Sequence, residues 1–455
     1  MDDRRDQLIR QLQETVREQQ EVIVRQNSLI EQLQSKVGLL ERRIGQMESG
    51  KGKPKGMPGN KLETVPPPQA KGSRKQRERA YVRRRGVPTH RVVHAVGECP
   101  GCRMRLSHGR IKRTREVIEV PQVQATITEH VFMERQCPGC GKRSVPTKDV
   151  LRGVAVGKSR IGVGLHSLIA ALREMGRLPI DTIRWYLHTL HGLSLSRGEI
   201  VNVLNRVATR AHGVLAGIQG AVRASPWISA DETGWRQDGH NGYVWTFSTP
   251  QERYYIRAGR DKGVVERELV GFAGTLVSDF YAAYNVYLGE HQRCWPHLLR
   301  DIHELTELHP EHQELGAWAR EVHSVYERAK LYAGLETQDD QRRRTMRLHF
   351  ERRLLAVCTP YLREKQAVQH TLCKRIERHI KELFAFVAKP GVPPDNNGAE
   401  RSLRHLVTAR KISGGTRSES GTATRLTLAS VFGTWQAQHR DPLTECRNLL
   451  SIAQP

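Results

Sequence analysis

The 455 residues include 73 lysines and arginines against 48 aspartates and glutamates, a formal charge of +25, and a hydrophobic fraction of 38%. That length allows two or three domains, and the modest apolar content implies that part of the chain is extended. The charge favours a polyanionic partner, with nucleic acid the default, because each neutralised phosphate releases a condensed counterion. A membrane partner is excluded as an expectation: no segment approaches the roughly 18 consecutive apolar residues of a spanning helix, and the opening MDDRRDQL has no signal-peptide apolar region. The expected location is therefore cytoplasmic.

Residues 8–47 carry a heptad. Ile9, Val16, Ile23, Ile30, Val37 and Ile44 fall seven apart, and Leu12, Leu33, Leu40 and Met47 fill the position three residues later, with Gln19 and Gln26 interrupting that row. β-branched residues at the first core position and mostly leucine at the second favour a parallel two-stranded coil, so residues 1–49 are predicted to form a dimerisation helix. A single amphipathic helix folded onto the chain's own core is the alternative. Residues 50–94 hold thirteen basic and two acidic residues among glycines and prolines, supplying +11 of the +25. Such a stretch buries too little apolar surface to fold alone and reads as a linker. Its cluster Arg83, Arg84 and Arg85 is a candidate phosphate contact.

A small domain is expected over 95–150, where Cys99-Pro-Gly-Cys102 and Cys137-Pro-Gly-Cys140 stand as two knuckles. Each turn aims two sulfurs at one ion, and four thiolates complete the tetrahedron of one structural Zn²⁺. A redox dithiol would show one CxxC beside a βαβ pattern. The intervening residues alternate like two strands broken by Pro121, predicting a hairpin that brings the knuckles together. The other four cysteines (Cys294, Cys358, Cys373, Cys446) are scattered and make no disulfide framework.

Residues 155–222 turn helical. A helix to about Met175, Gly176 and Pro179 as punctuation, a helix through Leu190, and Ser196 capping a third make a helix-turn-helix layout. Arg197, opening the third helix, is a candidate DNA contact. A helical packing unit without DNA contact would look similar.

Strands follow. SPWISADETGW is an apolar run ending in Asp231, NGYVWTFSTP and RYYIRAG are two more strands, KGVVERELVGF is helical, and AGTLVSDFYAAY is a strand ending in Asp279. Strand, strand, strand, helix, strand is the skeleton of a ribonuclease-H-like α/β domain, whose adjacent first and fourth strands would bring both aspartates together. Converging carboxylates need cations, and phosphoryl transfer with two Mg²⁺ supplies them, with Mn²⁺ a possible substitute. A third carboxylate is wanted from a helix packed on the sheet. Glu400 fits, because PPDNNGAERSLR fixes a helix start and places it in the first turn. The catalytic domain is thus expected over 223–440, with a helical insertion at about 305–390 and a tail helix over 441–455.

The zipper, CPGC…CPGCG, ADETGW, SDFYAAY, CWPHLLRDI and NNGAERSLR together resemble the insertion-sequence 66 family of bacterial DDE transposases, from end to end. The resemblance implies that Asp231, Asp279 and Glu400 are the catalytic triad, and that small element-encoded accessory proteins are possible partners. The expected activity is binding of transposon ends by a dimer or higher oligomer, metal-dependent strand cleavage, and transfer of the 3′-OH into target DNA. A nucleoid-associated location follows from that. A non-catalytic zinc-finger regulator, or a metal-dependent nuclease on the same fold, is the alternative. Beside Glu400, Arg401 and Arg404 face either phosphate or the carboxylate itself, Arg404 by i,i+4 pairing. His297 in CWPH is a candidate site neighbour. Glu232 is expected on the opposite strand face, and Cys294 inside the core.

Overall fold

The computed structural model describes residues 87–120, 123–335 and 339–452. The predicted coil over 8–47 and the cluster Arg83, Arg84 and Arg85 lie outside them. The chain divides into two compact units between Ile118 and Glu119.

In the first unit the Cys99 knuckle is closed by backbone bonds. Cys99 N–H donates to Met104 O at 2.9 Å, and Arg103 N–H donates to Cys99 O at 2.8 Å. The second unit opens with the equivalent turn around Cys137, flanked by two short antiparallel strands, β1 (Arg135–Gln136) and β2 (Arg143–Ser144). The longer hairpin predicted between the knuckles does not form. No strand pairing occurs among the described residues from 106 to 134. Within the second unit that run gives its backbone bonds elsewhere: Ala125 N–H donates to His191 O at 3.0 Å, and Val123 O lies 2.8 Å from the His191 ring.

Four helices follow: α1 (Val163–Glu174), α2 (Ile180–His191), α3 (Arg197–Arg210) and α4 (His212–Ala224). Their limits follow local chemistry. Pro179 precedes α2, Gly192 ends it in the left-handed region at φ 65°, and Ser196 with Glu199 forms a reciprocal capping box at the start of α3.

The sheet comprises β3 (Trp227–Gln237), β4 (His240–Ser248), β5 (Arg253–Ala258), β6 (Thr275–Ser278) and β7 (His291–Arg293), with α5 (Lys262–Glu268) between β5 and β6. Its order is β5-β4-β3-β6-β7, antiparallel from β5 to β3 and parallel from β3 to β7. The first and fourth strands are therefore neighbours. β3 is longer than predicted: Asp231 stands in its middle, because the β4 hairpin extends pairing to Gln237 while the β6 pairing stops at Ser229.

Five helices then form a second hydrophobic cluster: α6 (Trp295–Leu308), α7 (Gln313–Ala333), α8 (Asp340–Cys358), α9 (His370–Leu383) and α10 (Ala385–Ala388). The chain returns to the sheet through α11 (Asn397–Ser413) and α12 (Glu419–Ala437), and ends its described part with α13 (Pro442–Ser451). Cys446 and Leu450 of α13 share one core with α1–α4, α12 and one face of the sheet. The terminal helix is thus packed structure, and the helical segment and sheet bury apolar surface against each other.

Candidate functional site

Alternation along β3 sorts its side chains. Ile228 and Ala230 enter the core shared with α1–α4, whereas Ser229 meets Gly398, Thr233 meets Arg410 and Trp235 packs on Leu403 and Leu406 of α11. By the same period of two, Asp231 faces α11 and Glu232 faces away. The parallel register ends at Ser229↔Val277, and Asp279 follows two residues later, past the end of β6, where its charge acts on Asp231.

Helix α11 is fastened across the sheet at several points. Asn396 Nδ2 donates to Ala230 O at 2.8 Å, the Ser402 and Thr246 hydroxyls are 3.0 Å apart, and Tyr255 O–H donates to Ser402 O at 2.8 Å. Arg410 donates to Gly234 O at the far end. Thr246 is the cross-strand partner of Asp231, so the helix is pinned one strand away from that carboxylate. Gly398 lies against Ser229, where a Cβ would stand 3.4 Å from Ser229 Oγ, an ordinary contact. Glu400 lies in the first turn of α11.

The carboxylates act on one another. Asp231 is pushed up to about 7, first by burial, then by the Glu232 charge, with Asp279 and Glu400 adding to it. The Glu232 backbone N–H, 2.9 Å from Asp231 Oδ1, works in the opposite direction. Asp279 Oδ1 accepts the Tyr281 N–H at 2.9 Å, which fixes the carboxylate just past the end of β6. Glu232 is raised by burial too, but it has its own partners: the Tyr284 hydroxyl at 2.8 Å and Arg260 at 2.9 Å. His297 Nε2 lies 4.0 Å from Glu400 Oε1. No ion pair joins Arg404 to Glu400 among the described residues, contrary to the i,i+4 expectation. Arg401 and Arg404 instead stand exposed on the outer face of α11.

Two contributors escaped the sequence reading. Arg293, fully buried on β7, donates to Asp279 O at 2.8 Å, to Ser278 Oγ at 3.2 Å, to Asn285 Oδ1 and to Glu382. It anchors the loop that carries Asp279. Burial would raise Glu382, yet His379 and Arg293 hold it down at about 2. A lone arginine inside a short strand before Cys294-Trp295 was the available signal, since a charge at a core position is kept only when paired. Asn396 is the second, and only its place in the DNN lead-in hinted at it.

Elsewhere, Arg197 makes a two-pronged ion pair with Asp181, at 2.7 and 2.8 Å. Cys294 is buried, and its thiol is pushed up to about 12 by burial. The glycine-rich segment after α11 is tied to β3, with Thr416 N–H donating to Arg236 O at 3.0 Å and Trp235 Nε1 to Thr416 Oγ1 at 3.1 Å. In the two knuckles the same local field operates. Backbone N–H groups of Cys102 and Gly101 lower Cys99, and those of Cys140 and Gly139 lower Cys137.

As placed, no three His, Cys, Asp or Glu side chains among the described residues are gathered closely enough to hold a metal ion. The donor chemistry of Asp231, Asp279 and Glu400 nevertheless fits a hard divalent cation. All are oxygen ligands, and burial, the Glu232 charge and, to a smaller extent, Asp279 and Glu400 make the charged form of Asp231 costly, a cost that a cation would reduce. No helix among the described residues is long and apolar enough to cross a membrane.

Two relatives are uncharacterized proteins of Sinorhizobium fredii. One, y4jO, is 28% identical over 160 residues, covering 35% of this chain and 47% of the relative. The other, y4jD, is 24% identical over 284 residues, covering 55% of each. The chain thus spans about half the length of the curated relatives it matches. The family model described as Transposase IS66 family matches residues 158–424, which is more than half of the chain and contains β3, β6 and the start of α11, and the chain belongs to that family.

Proposed function

We propose that this chain is a DNA transposase of the DDE type, with Asp231, Asp279 and Glu400 as its catalytic carboxylates. One observation carries the reading: three carboxylates from three separate elements, a strand centre, a strand end and a helix start, fall within one electrostatic field. A binding protein has no use for that costly arrangement. The strand order, three antiparallel strands followed by two parallel ones, supports a ribonuclease-H-like catalytic domain with α6–α10 as its helical insertion.

The three carboxylates would hold two Mg²⁺ ions, or Mn²⁺ in their place, and the bound metal would supply activation of water and of the freed 3′-OH for phosphoryl transfer. Arg293 holds the Asp279 loop rigid for this, and the sheet contacts of α11 hold Glu400. Arg401 and Arg404 are exposed beside Glu400 and would meet DNA phosphate. Cys99, Cys102, Cys137 and Cys140 would share one structural Zn²⁺. Binding of transposon ends by a homodimer through residues 8–47 completes the reading.

The test is a strand-cleavage and strand-transfer assay with Mg²⁺ and a labelled end fragment. Asp279→Ala is expected to abolish both steps and leave end binding intact. Normal joining by that variant would sink the assignment. Cleavage without joining by the unaltered protein would make it a nuclease.

A further inference from the structure

We infer that Asn396 is the positioning residue that fixes the mutual placement of Asp231, Asp279 and Glu400. The inference rests on the metal-carboxylate reading above. Asn396 bonds directly to β3 and within α11, and is linked to the end of β6 through Cys294. Its side-chain Nδ2 donates to Ala230 O at 2.8 Å, the carbonyl of the residue before Asp231. Its backbone N–H donates to Cys294 Sγ at 3.2 Å, and Cys294 N–H donates to Ser278 O at 2.8 Å, the carbonyl of the residue before Asp279. Its own carbonyl accepts the Glu400 N–H at 3.2 Å.

The surroundings suit this role. Asn396 is 1% exposed, so water does not compete for its bonds. It stands at the cap position of α11, yet its side chain makes no helix-capping bond; the amide is turned to the sheet instead. Asn396 Oδ1 is buried without a hydrogen-bond partner, as is Ser229 Oγ nearby on β3. The Pro394 carbonyl just upstream accepts the Trp295 N–H at 3.0 Å, so the lead-in is held from both sides. Partners of this kind orient metal ligands without touching the metal, and losing one costs about 10–100-fold in affinity.

The experiment is Mn²⁺ binding to the full-length protein, measured by calorimetry and by the electron paramagnetic resonance of the bound ion, alongside binding of an end fragment. Asn396→Ala is expected to weaken Mn²⁺ binding tenfold or more while end binding changes less than twofold. Asn396→Ser, which retains a favoured cap residue but cannot reach Ala230 O, is the second variant should the alanine fail to fold; the same loss is expected. Asp231→Asn serves as the control. Mn²⁺ binding lost in Asp231→Asn but retained in both Asn396 variants overturns this inference alone. Mn²⁺ binding unaffected by Asp231→Asn overturns the metal-carboxylate reading and the inference with it.

Discussion

Replacing Asp231 by Asn is expected to stabilise the metal-free protein, and the gain should grow with pH. The Asp231 carboxyl sits near 7 in the folded chain against an ordinary 3.8, chiefly through burial and the Glu232 charge. A raised carboxylate binds its proton more tightly folded than unfolded, so its contribution is intact below about 4 and is lost as pH climbs to about 7. The difference between about 7 and 3.8, at about 1.4 kcal/mol per pH unit, makes the full loss roughly 4 kcal/mol above pH 7 and under about 2 kcal/mol at pH 5. Asparagine removes the charge and retains Oδ1 to accept the Glu232 N–H. For a unit this large, with roughly 2 °C gained per kcal/mol, the variant should melt on the order of 8 °C higher than the parent at pH 8 in EDTA. The gap should shrink by more than half at pH 5. Melts at the two pH values, with and without Mg²⁺, measure this directly. An asparagine variant that gains nothing at pH 8, or gains equally at both pH values, would refute the claim that Asp231 is a strained, charge-crowded carboxylate.

Further expectations concern the frame around the site. Glu174 and Arg425 form an ion pair of 2.6 Å, with side chains 2% and 4% exposed, joining α1 to α12. Glu174→Gln alone should cost about 3–5 kcal/mol by leaving Arg425 buried and unpaired, whereas replacing both by apolar residues of similar size should cost far less; urea melts of the single and double variants decide it. Gly415, at φ 117°, has no room for a side chain: a Cβ would lie 2.0 Å from Arg236 O, so Gly415→Ala should lower the melting temperature and loosen the junction of the loop with β3, read by hydrogen exchange at Thr416 and Asp238. Cys137→Ser should release zinc and impair folding of the knuckle segment, checked by metal analysis; an unchanged zinc content would count against the four-cysteine site.

Much of the local architecture was legible in the residues themselves. The stops and starts of α1–α3 follow Gly176, Pro179, Gly192 and Ser196, because caps and glycine turns act within a few residues of where they stand. The strand order, the place of Asp279 past β6 and of Glu400 in the first turn of α11, and the inward Cys294 were equally open to reading, since alternation and helix-start chemistry are local patterns. The family signature likewise lay in short motifs.

What only the tertiary structure decided depends on partners far away in the chain. The extent of β3 through Asp231 was set by its hairpin with β4, and in the run between the knuckles Ala125 bonds to His191 of α2. Of the two roles open to Arg404, the ion pair with Glu400 is not formed among the described residues, since helix spacing permits such a pair without requiring it. Arg293 and Asn396 left only faint signals: their roles consist of bonds to residues 14 and 166 positions away, and a sequence displays a donor without its acceptor. Residue type fixed which groups carry charge; folding fixed which charges act on one another, and that is what makes Asp231, Asp279 and Glu400 a candidate site.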